Sequence, residues 1–330
     1  MNKTFKIISK LILSLFLLFI AFYFWASASN FEVDEYSKLI VNDYPTKITN
    51  DSVYSIITYN IGYLSGMTNN LPIKKEQKFF DVNLELVLEQ FKSLDPDFIA
   101  FQEIDFASRR SYDINQQNEI AKLGYNFVGQ AINWDKKYLP FPEFPISMHY
   151  GRILSGQSIL SKYEITHQDR IELKRNTTNP FYYDAFYLDR LAQIVEINLA
   201  KPNQKNKILV VINIHTEAFH QETRLEQIKH IIQLYQTYNE EYPTILLGDF
   251  NSDVNYENAG IKLLLDLPNT GCAAFETNNI INTFDSEKPF ERLDYIFYNT
   301  DFIEYIDGEV LSQFNQASDH LPLLMKFKLK

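Results

Sequence analysis

Seven short runs rich in β-branched and aromatic residues set the outline of the fold: residues 53–60, 98–104, 191–199, 207–215, 244–247, 293–298 and 323–329. Runs of this length and composition read as strands. Two longer segments carry helical spacing instead. Phe80, Leu84, Val87, Leu88 and Phe91 recur at three- and four-residue steps, as do Leu225, Ile228, Ile231, Ile232 and Tyr235. Asp95-Pro96 ends the first helix and Tyr242-Pro243 the second, because a residue before proline is pushed out of the helical region. Strands outnumber helices and several follow one another directly, which predicts packed sheets flanked by helices and not a regular βαβ alternation. A chain of 330 residues, 45 % of them hydrophobic, can fill such a core. No Pro/Gly/Ser-rich or charged block divides it after residue 50, so one domain over 51–330 is expected.

The N-terminal end differs in kind. Lys3, Lys6 and Lys10 precede an uncharged apolar run over 11–25, and Ala26-Ser27-Ala28 follows. This pattern fits a signal peptide with its cleavage site, and equally an N-terminal membrane anchor over 1–28 with Phe22, Tyr23, Phe24 and Trp25 as its interfacial aromatics. Under either reading the rest of the protein is exported: periplasmic, secreted or membrane-anchored. Residues 29–50, with Asp34, Glu35, Asp43 and Pro45, read as a spacer. The lone Cys272 can form no intramolecular disulfide and is expected to be a small buried hydrophobe.

Formal net charge is −11; without Lys3, Lys6 and Lys10, 28 basic residues face 42 acidic ones, a charge of −14. A field of that sign repels polyanions at long range, so a phosphate substrate must be met by local cations, a bound metal foremost among them.

The polar residues that end the apolar runs carry the chemistry. Asn60 closes the first, Glu103 the second and His215 the fourth; Asp249 and Asn251 follow Leu246-Leu247-Gly248. Every strand must end in something polar, so one such ending needs no explanation. Together they present carboxylates for a hard cation, amides and imidazoles at the places where a rigid sheet can aim side chains into one cleft. Asp294 lies inside the apolar run Leu293-Asp294-Tyr295-Ile296-Phe297, where a carboxylate costs free energy unless paired, with Arg292 as one possible partner. Asp319 and His320 stand side by side before the last run.

Tyr59-Asn60-Ile61, Phe101-Gln102-Glu103-Ile104-Asp105, Gly156-Gln157-Ser158, Asn213-Ile214-His215, Gly248-Asp249-Phe250-Asn251-Ser252, Arg292-Leu293-Asp294-Tyr295-Ile296 and Ser318-Asp319-His320 form an ordered set. It resembles that of the endonuclease/exonuclease/phosphatase superfamily, the deoxyribonuclease I-like fold, over residues 53–330. The resemblance implies a four-layer α/β sandwich, two mostly antiparallel sheets packed face to face with helices outside, and metal-dependent attack of water on a phosphate ester. It also implies roles. Glu103 would be the principal Mg²⁺ ligand (Mn²⁺ or Ca²⁺ being alternatives), with Asn60 and Asp319 close to the metal. Asp249 and Asn251 would orient or activate the water; His320, oriented by Asp294, would serve as acid/base or phosphate contact; His215 would be a second phosphate-contacting histidine. Arg190 is read as a surface arginine with a possible phosphate-facing role, and Arg224 and Gln227 as packing and hydrogen-bonding residues. The stretch Glu291-Arg292-Leu293-Asp294 lacks the tryptophan and Cys-Asp-Arg core of the inositol-polyphosphate branch, which argues against a phosphoinositide phosphatase.

Two phosphodiester substrates compete. Nucleic acid is placed first because the family is rich in nucleases, with Arg109-Arg110 and Lys136-Lys137 as backbone contacts. A phospholipid or sphingomyelin-type substrate would suit the acidic balance and export. It would also suit an aromatic, proline-rich stretch (Trp134, Tyr138, Pro140, Phe141, Pro142, Phe144, Pro145, Tyr150), read as a loop that walls the substrate groove or touches a membrane. A non-catalytic binding module on the same fold would have lost motif carboxylates; none is missing. No protein partner is inferred.

Overall fold

The computed structural model describes residues 3–48, 52–69, 71–142, 144–200, 207–276 and 280–330. The expected domain boundary at 50 and 51 lies outside them. In chain order the strands are β1 (Ser37–Val41), β2 (Tyr54–Asn60), β3 (Phe98–Asp105), β4 (Phe127–Leu139), β5 (Gly151–Ser161), β6 (Ile165–Glu172), β7 (Leu191–Asn198), β8 (Ile208–His215), β9 (Thr244–Asp249), β10 (Thr270–Cys272), β11 (Asp294–Asn299), β12 (Ile303–Val310) and β13 (Leu323–Leu329). The helices are α1 (Lys3–Ser27), α2 (Gln77–Leu94), α3 (Gln116–Ala121), α4 (Phe181–Asp184), α5 (Gln221–Asn239) and α6 (Ile261–Leu265). All seven predicted strands and both predicted helices are present. Asp95 caps α2 in the left-handed conformation and Pro96 follows, as the sequence rule requires.

The strands form a seven-stranded sheet, β1-β4-β5-β3-β2-β13-β12, and a six-stranded sheet, β10-β11-β9-β8-β7-β6. Each is antiparallel except for one central pair, β2 with β3 and β8 with β9. Strand parity builds the layers. Ile57 and Tyr59 of β2 pack outward with Phe80, Val87 and Phe91 of α2. Ile56 of β2, Val211 of β8, Leu247 of β9 and Ile296 of β11 meet between the sheets. Leu246, Ile212 and Phe297 pack on the far side with Ile228, Ile231 and Tyr235 of α5. The result is the expected four-layer α/β sandwich.

Toward one end the inter-sheet space turns polar. Gln102 Nε2 donates to Asn213 Oδ1 at 2.6 Å, Asn213 Nδ2 to Gln193 Oε1 at 3.1 Å, and Gln157 Nε2 to the Asn213 carbonyl at 2.9 Å. These amides bond one another between the sheets, while Gln102 Oε1 and Gln157 Oε1 are buried without a partner among the described residues. Asn60, His215, Asp249 and Asp294 lie beyond them.

Three sequence readings are corrected. Residues 29–50 are not a plain spacer: β1 pairs with β4, and the Asp135 carboxylate of β4 accepts from Asn30 N, Asn30 Nδ2, Phe31 N and Tyr36 Oη. The aromatic stretch is only half a loop. Trp134 and Tyr138 belong to β4, whose proline-free first half was masked by the prolines that begin at Pro140. Cys272 packs at the edge of the α5-side core and is partly exposed.

Candidate active site

Glu103 owes its position to a β-bulge. The β3–β5 register shifts between Phe101 and Ile104, and Glu103 takes a positive φ of 51°. The slip lets Ile104 join Ile99 and Phe101 in the outer core, and it turns Glu103 to the strand end with 12 % of its side chain open to solvent. Glu103 Oε2 accepts from Asn69 Nδ2 at 2.9 Å, and the same amide nitrogen is 3.5 Å from Asp319 Oδ1. Ser318 Oγ lies 3.2 Å from that Asp319 oxygen and donates to the Asn60 carbonyl at 2.8 Å, tying the last motif to the first. Burial pushes both carboxyls above their ordinary range, and Asp319 adds to the effect at Glu103.

Asp249 forms the second focus. Its Oδ2 accepts from Asn60 Nδ2 at 3.0 Å and from Asn251 Nδ2 at 3.2 Å, and its Oδ1 from the Asn251 backbone N–H at 2.9 Å. Asn251 adopts φ 46°, which folds its amide back onto the carboxylate. Burial raises the Asp249 carboxyl to about 7, nearby Asp294 acts in the same sense, and His320 opposes the rise.

His320 Nδ1 bonds Asp294 Oδ2 at 2.9 Å, and its Nε2 is 3.9 Å from Asp249 Oδ2. Burial disfavours the imidazolium, but the Asp294 and Asp249 carboxylates outweigh it and hold His320 well above its usual value. Arg292 does not pair with the Asp294 carboxylate. Its guanidinium donates to the carbonyls of Asp294, Ala274, Ile281 and Ala273.

His215 is the opposite case. Its Nε2 contacts Arg190 Nη1, and because a guanidinium can only donate, this nitrogen must be the acceptor of a neutral ring. Burial, then Arg190 and His320, lower its affinity for a proton. Its approaches to Asp249 Oδ2 at 3.5 Å and Glu103 Oε1 at 3.7 Å are therefore not ion pairs. Arg190 is buried, not a surface arginine, and lies within 3.4 Å of Tyr187 Oη, which also bonds Glu217. Arg224 donates to the Glu217 and Ala218 carbonyls and Gln227 supports Glu217 N–H, as expected of scaffold residues.

All eight sequence-nominated residues thus converge on one end of the inter-sheet space. Asn69, Arg190, Tyr187 and Glu217 complete it without having been nominated for it, apart from the phosphate-facing option left open for Arg190. The oxygens of Glu103 and Asp319, which share one amide donor, suit a hard divalent cation. Asp249, Asp294 and His320 also offer ligand atoms within 4.8 Å of one another. His320 already bonds Asp294, and Asn60 and Asn251 bond Asp249, while Asp294 Oδ1 has no hydrogen-bond partner among the described residues; the more open Glu103–Asp319 side is the better fit.

No curated protein sequence matches the chain. Among solved structures it is similar to the human nocturnin catalytic domain with bound sulfate (18 % identity, 92 % of this chain and 100 % of that one, TM-score 0.58). It is also similar to ANGEL2, a 2′,3′-cyclic phosphatase in complex with adenosine-2′,3′-vanadate (15 %, 89 % and 98 %, 0.56), and to Bacteroides thetaiotaomicron mannosyl-6-phosphatase (14 %, 84 % and 99 %, 0.55). The family model for the endonuclease/exonuclease/phosphatase family matches residues 57–320, the span that holds every residue of the site. The chain belongs to the endonuclease/exonuclease/phosphatase family of phosphoester hydrolases.

Proposed function

We propose that the protein is an exported, divalent-metal-dependent phosphodiesterase working by attack of water on phosphorus. The observation that carries this reading is the Glu103–Asn69–Asp319 arrangement beside Asp249 and the Asp294-held His320. Similarity to folds solved with sulfate and with a vanadate ester supports a site shaped for a phosphoryl group.

Glu103 and Asp319, with Asn60 alongside, would hold the cation, Mg²⁺ by preference and Mn²⁺ or Ca²⁺ as substitutes. Bound there, it supplies a Lewis acid for a phosphoryl oxygen. The chain does the rest. Asp249, raised to about 7, takes a proton from water at neutral pH, and Asn60 and Asn251 fix the carboxylate that receives it. The water oxygen joins phosphorus and the ester P–O bond opens. His320, kept protonated by Asp294, gives the departing oxygen its proton. Asp249 can return the proton to His320 across the 3.9 Å between them, which closes the cycle. Arg190, held against neutral His215, provides donors for charge developing on phosphoryl oxygens.

Export rests on α1. Its 25 residues span about 37 Å at the rise of an α-helix, enough for a bilayer core. Lys3, Lys6 and Lys10 at its start favour a cytoplasmic N-terminus and an external domain.

With bis(p-nitrophenyl) phosphate as reporter, Glu103→Ala and His320→Ala should each reduce Mg²⁺-dependent product release by about 10³-fold while circular dichroism stays native. Undiminished turnover in both variants would defeat the reading.

A further inference from the structure

We infer that α1 remains attached and seats the mouth of the active site on the bilayer surface, so that the substrate is a phosphodiester in a lipid headgroup. The inference rests on the phosphoesterase reading above.

The tether has no slack. Lys136 Nζ donates to the Ser27 carbonyl at 3.3 Å, Lys137 N–H to the Ala28 carbonyl at 2.9 Å, and Asn30 and Phe31 are bound to Asp135. The helix therefore leaves the domain at a fixed place, and a helix held this closely also fixes which face of the domain meets the membrane.

Depth follows from the last turn of α1. Phe22 packs on Tyr138 with ring centroids 5.7 Å apart, and Tyr23 packs on Phe186 at 5.7 Å and Phe181 at 6.4 Å. Tyr and Trp at the end of a spanning helix lie at headgroup level, so the domain rings they touch lie there too. Phe181, which Tyr23 touches, is 78 % exposed, and Phe144 at 82 %, Phe219 at 82 %, Ile146 and Tyr182 are also open. Exposed apolar side chains mark a membrane or partner contact, and the contact of exposed Phe181 with the apolar helix points to the membrane.

The same segments reach the site. Tyr183, beside Phe181, stacks on Tyr187 at 5.3 Å; Tyr187 bonds Glu217, and Arg190 between them contacts His215. Phe219 N–H bonds Glu217 Oε1 at 3.0 Å. The rim that would rest on lipid is thus two or three side chains from the reacting groups. Conversely, two of the four cations proposed to follow a nucleic-acid backbone are already engaged. Arg110 pairs with Asp105 at 2.8 Å and lies over the Tyr63 ring, and Lys136 is held by Ser27. In the hydrolysis, the oxygen of water joins phosphorus, one headgroup P–O bond breaks, and the released alcohol takes the proton.

The test uses the full chain in vesicles of phosphatidylcholine, phosphatidylethanolamine and sphingomyelin, with bis(p-nitrophenyl) phosphate as a soluble reporter. Lipid phosphodiester should be cleaved, and the combined Phe144→Ser, Phe181→Ser, Phe219→Ser variant should lower the ratio of lipid to reporter turnover about tenfold, as apolar contact is lost. Independently of activity, Phe181→Trp should add tryptophan fluorescence that brominated phosphatidylcholine quenches. Reporter turnover with intact lipid and no quenching would overturn the inference alone, as would DNA or RNA cleaved in preference to lipid. Absence of reporter turnover would remove the phosphoesterase reading and the inference with it.

Discussion

Four carboxylates, Glu103, Asp249, Asp294 and Asp319, converge with few positive charges to balance them, and the chain manages this by placing each against a specific donor. The fit is tight where Asp319 sits. Gly62 has φ +52°, and a Cβ there would lie 2.7 Å from Ser318 Oγ and 2.8 Å from Asp319 Oδ1. Gly62→Ala should therefore displace Asp319, costing about 1 kcal/mol in backbone strain and raising the Mg²⁺ concentration needed for half-maximal turnover; an unchanged Mg²⁺ titration would show that Asp319 is not near the cation. Away from the site, packing around the partly exposed Cys272 desolvates its thiol and pushes it up to about 12. At pH 8 its thiolate is scarce, so the native protein should react with a thiol reagent about 10³-fold more slowly than free cysteine; reaction at the free-thiol rate would contradict this environment. Asn60, Glu103, His215 and Asp249 were legible because each ends an apolar run, on or beside the face its neighbours bury. Asn69 and Tyr187 were not, since their loops carry no period and only folding brings them to the site. Arg190 looked like a surface residue because nothing in its neighbours announces the Tyr187–Glu217–His215 pocket that buries it.

Elements were legible where one pattern ran undisturbed. The helices α2 and α5 and the seven predicted strands carry their own periodicity and stops. Of the six strands not predicted, β6 and β12 each have one exposed face, β1 is five residues at a sheet edge with polar flanks, and β10 has only three residues. Asp135 holds the segment before β1 in place with four accepted hydrogen bonds. Asp135→Ala leaves those donors without a partner and should lower stability by about 2–3 kcal/mol. Limited proteolysis should then cut within residues 28–36 of the variant first; an identical digestion pattern would show that the segment is held by other means.

For the molecule as a whole, two sheets bury one apolar interior and leave its polar end as the site, within an overall acidic surface. The fold class was readable because strand ends, parity and motif order all pointed the same way; the seating of α1 on the domain was not, because it depends on ring contacts made only in the folded protein. The charge of −14 outside the helix implies that salt, by screening repulsion, should raise kcat/KM for a soluble anionic phosphodiester about two- to fivefold up to about 0.15 M. A steep fall would indicate instead a substrate gripped by exposed cations. The claim beneath all of this is that Glu103 and Asp319 converge on one divalent cation. Titration of chelator-treated protein with Mn²⁺, followed by electron paramagnetic resonance, should reveal a tight site in the native chain that is lost in both Glu103→Gln and Asp319→Asn. Retention of that site at native affinity in both variants would contradict it.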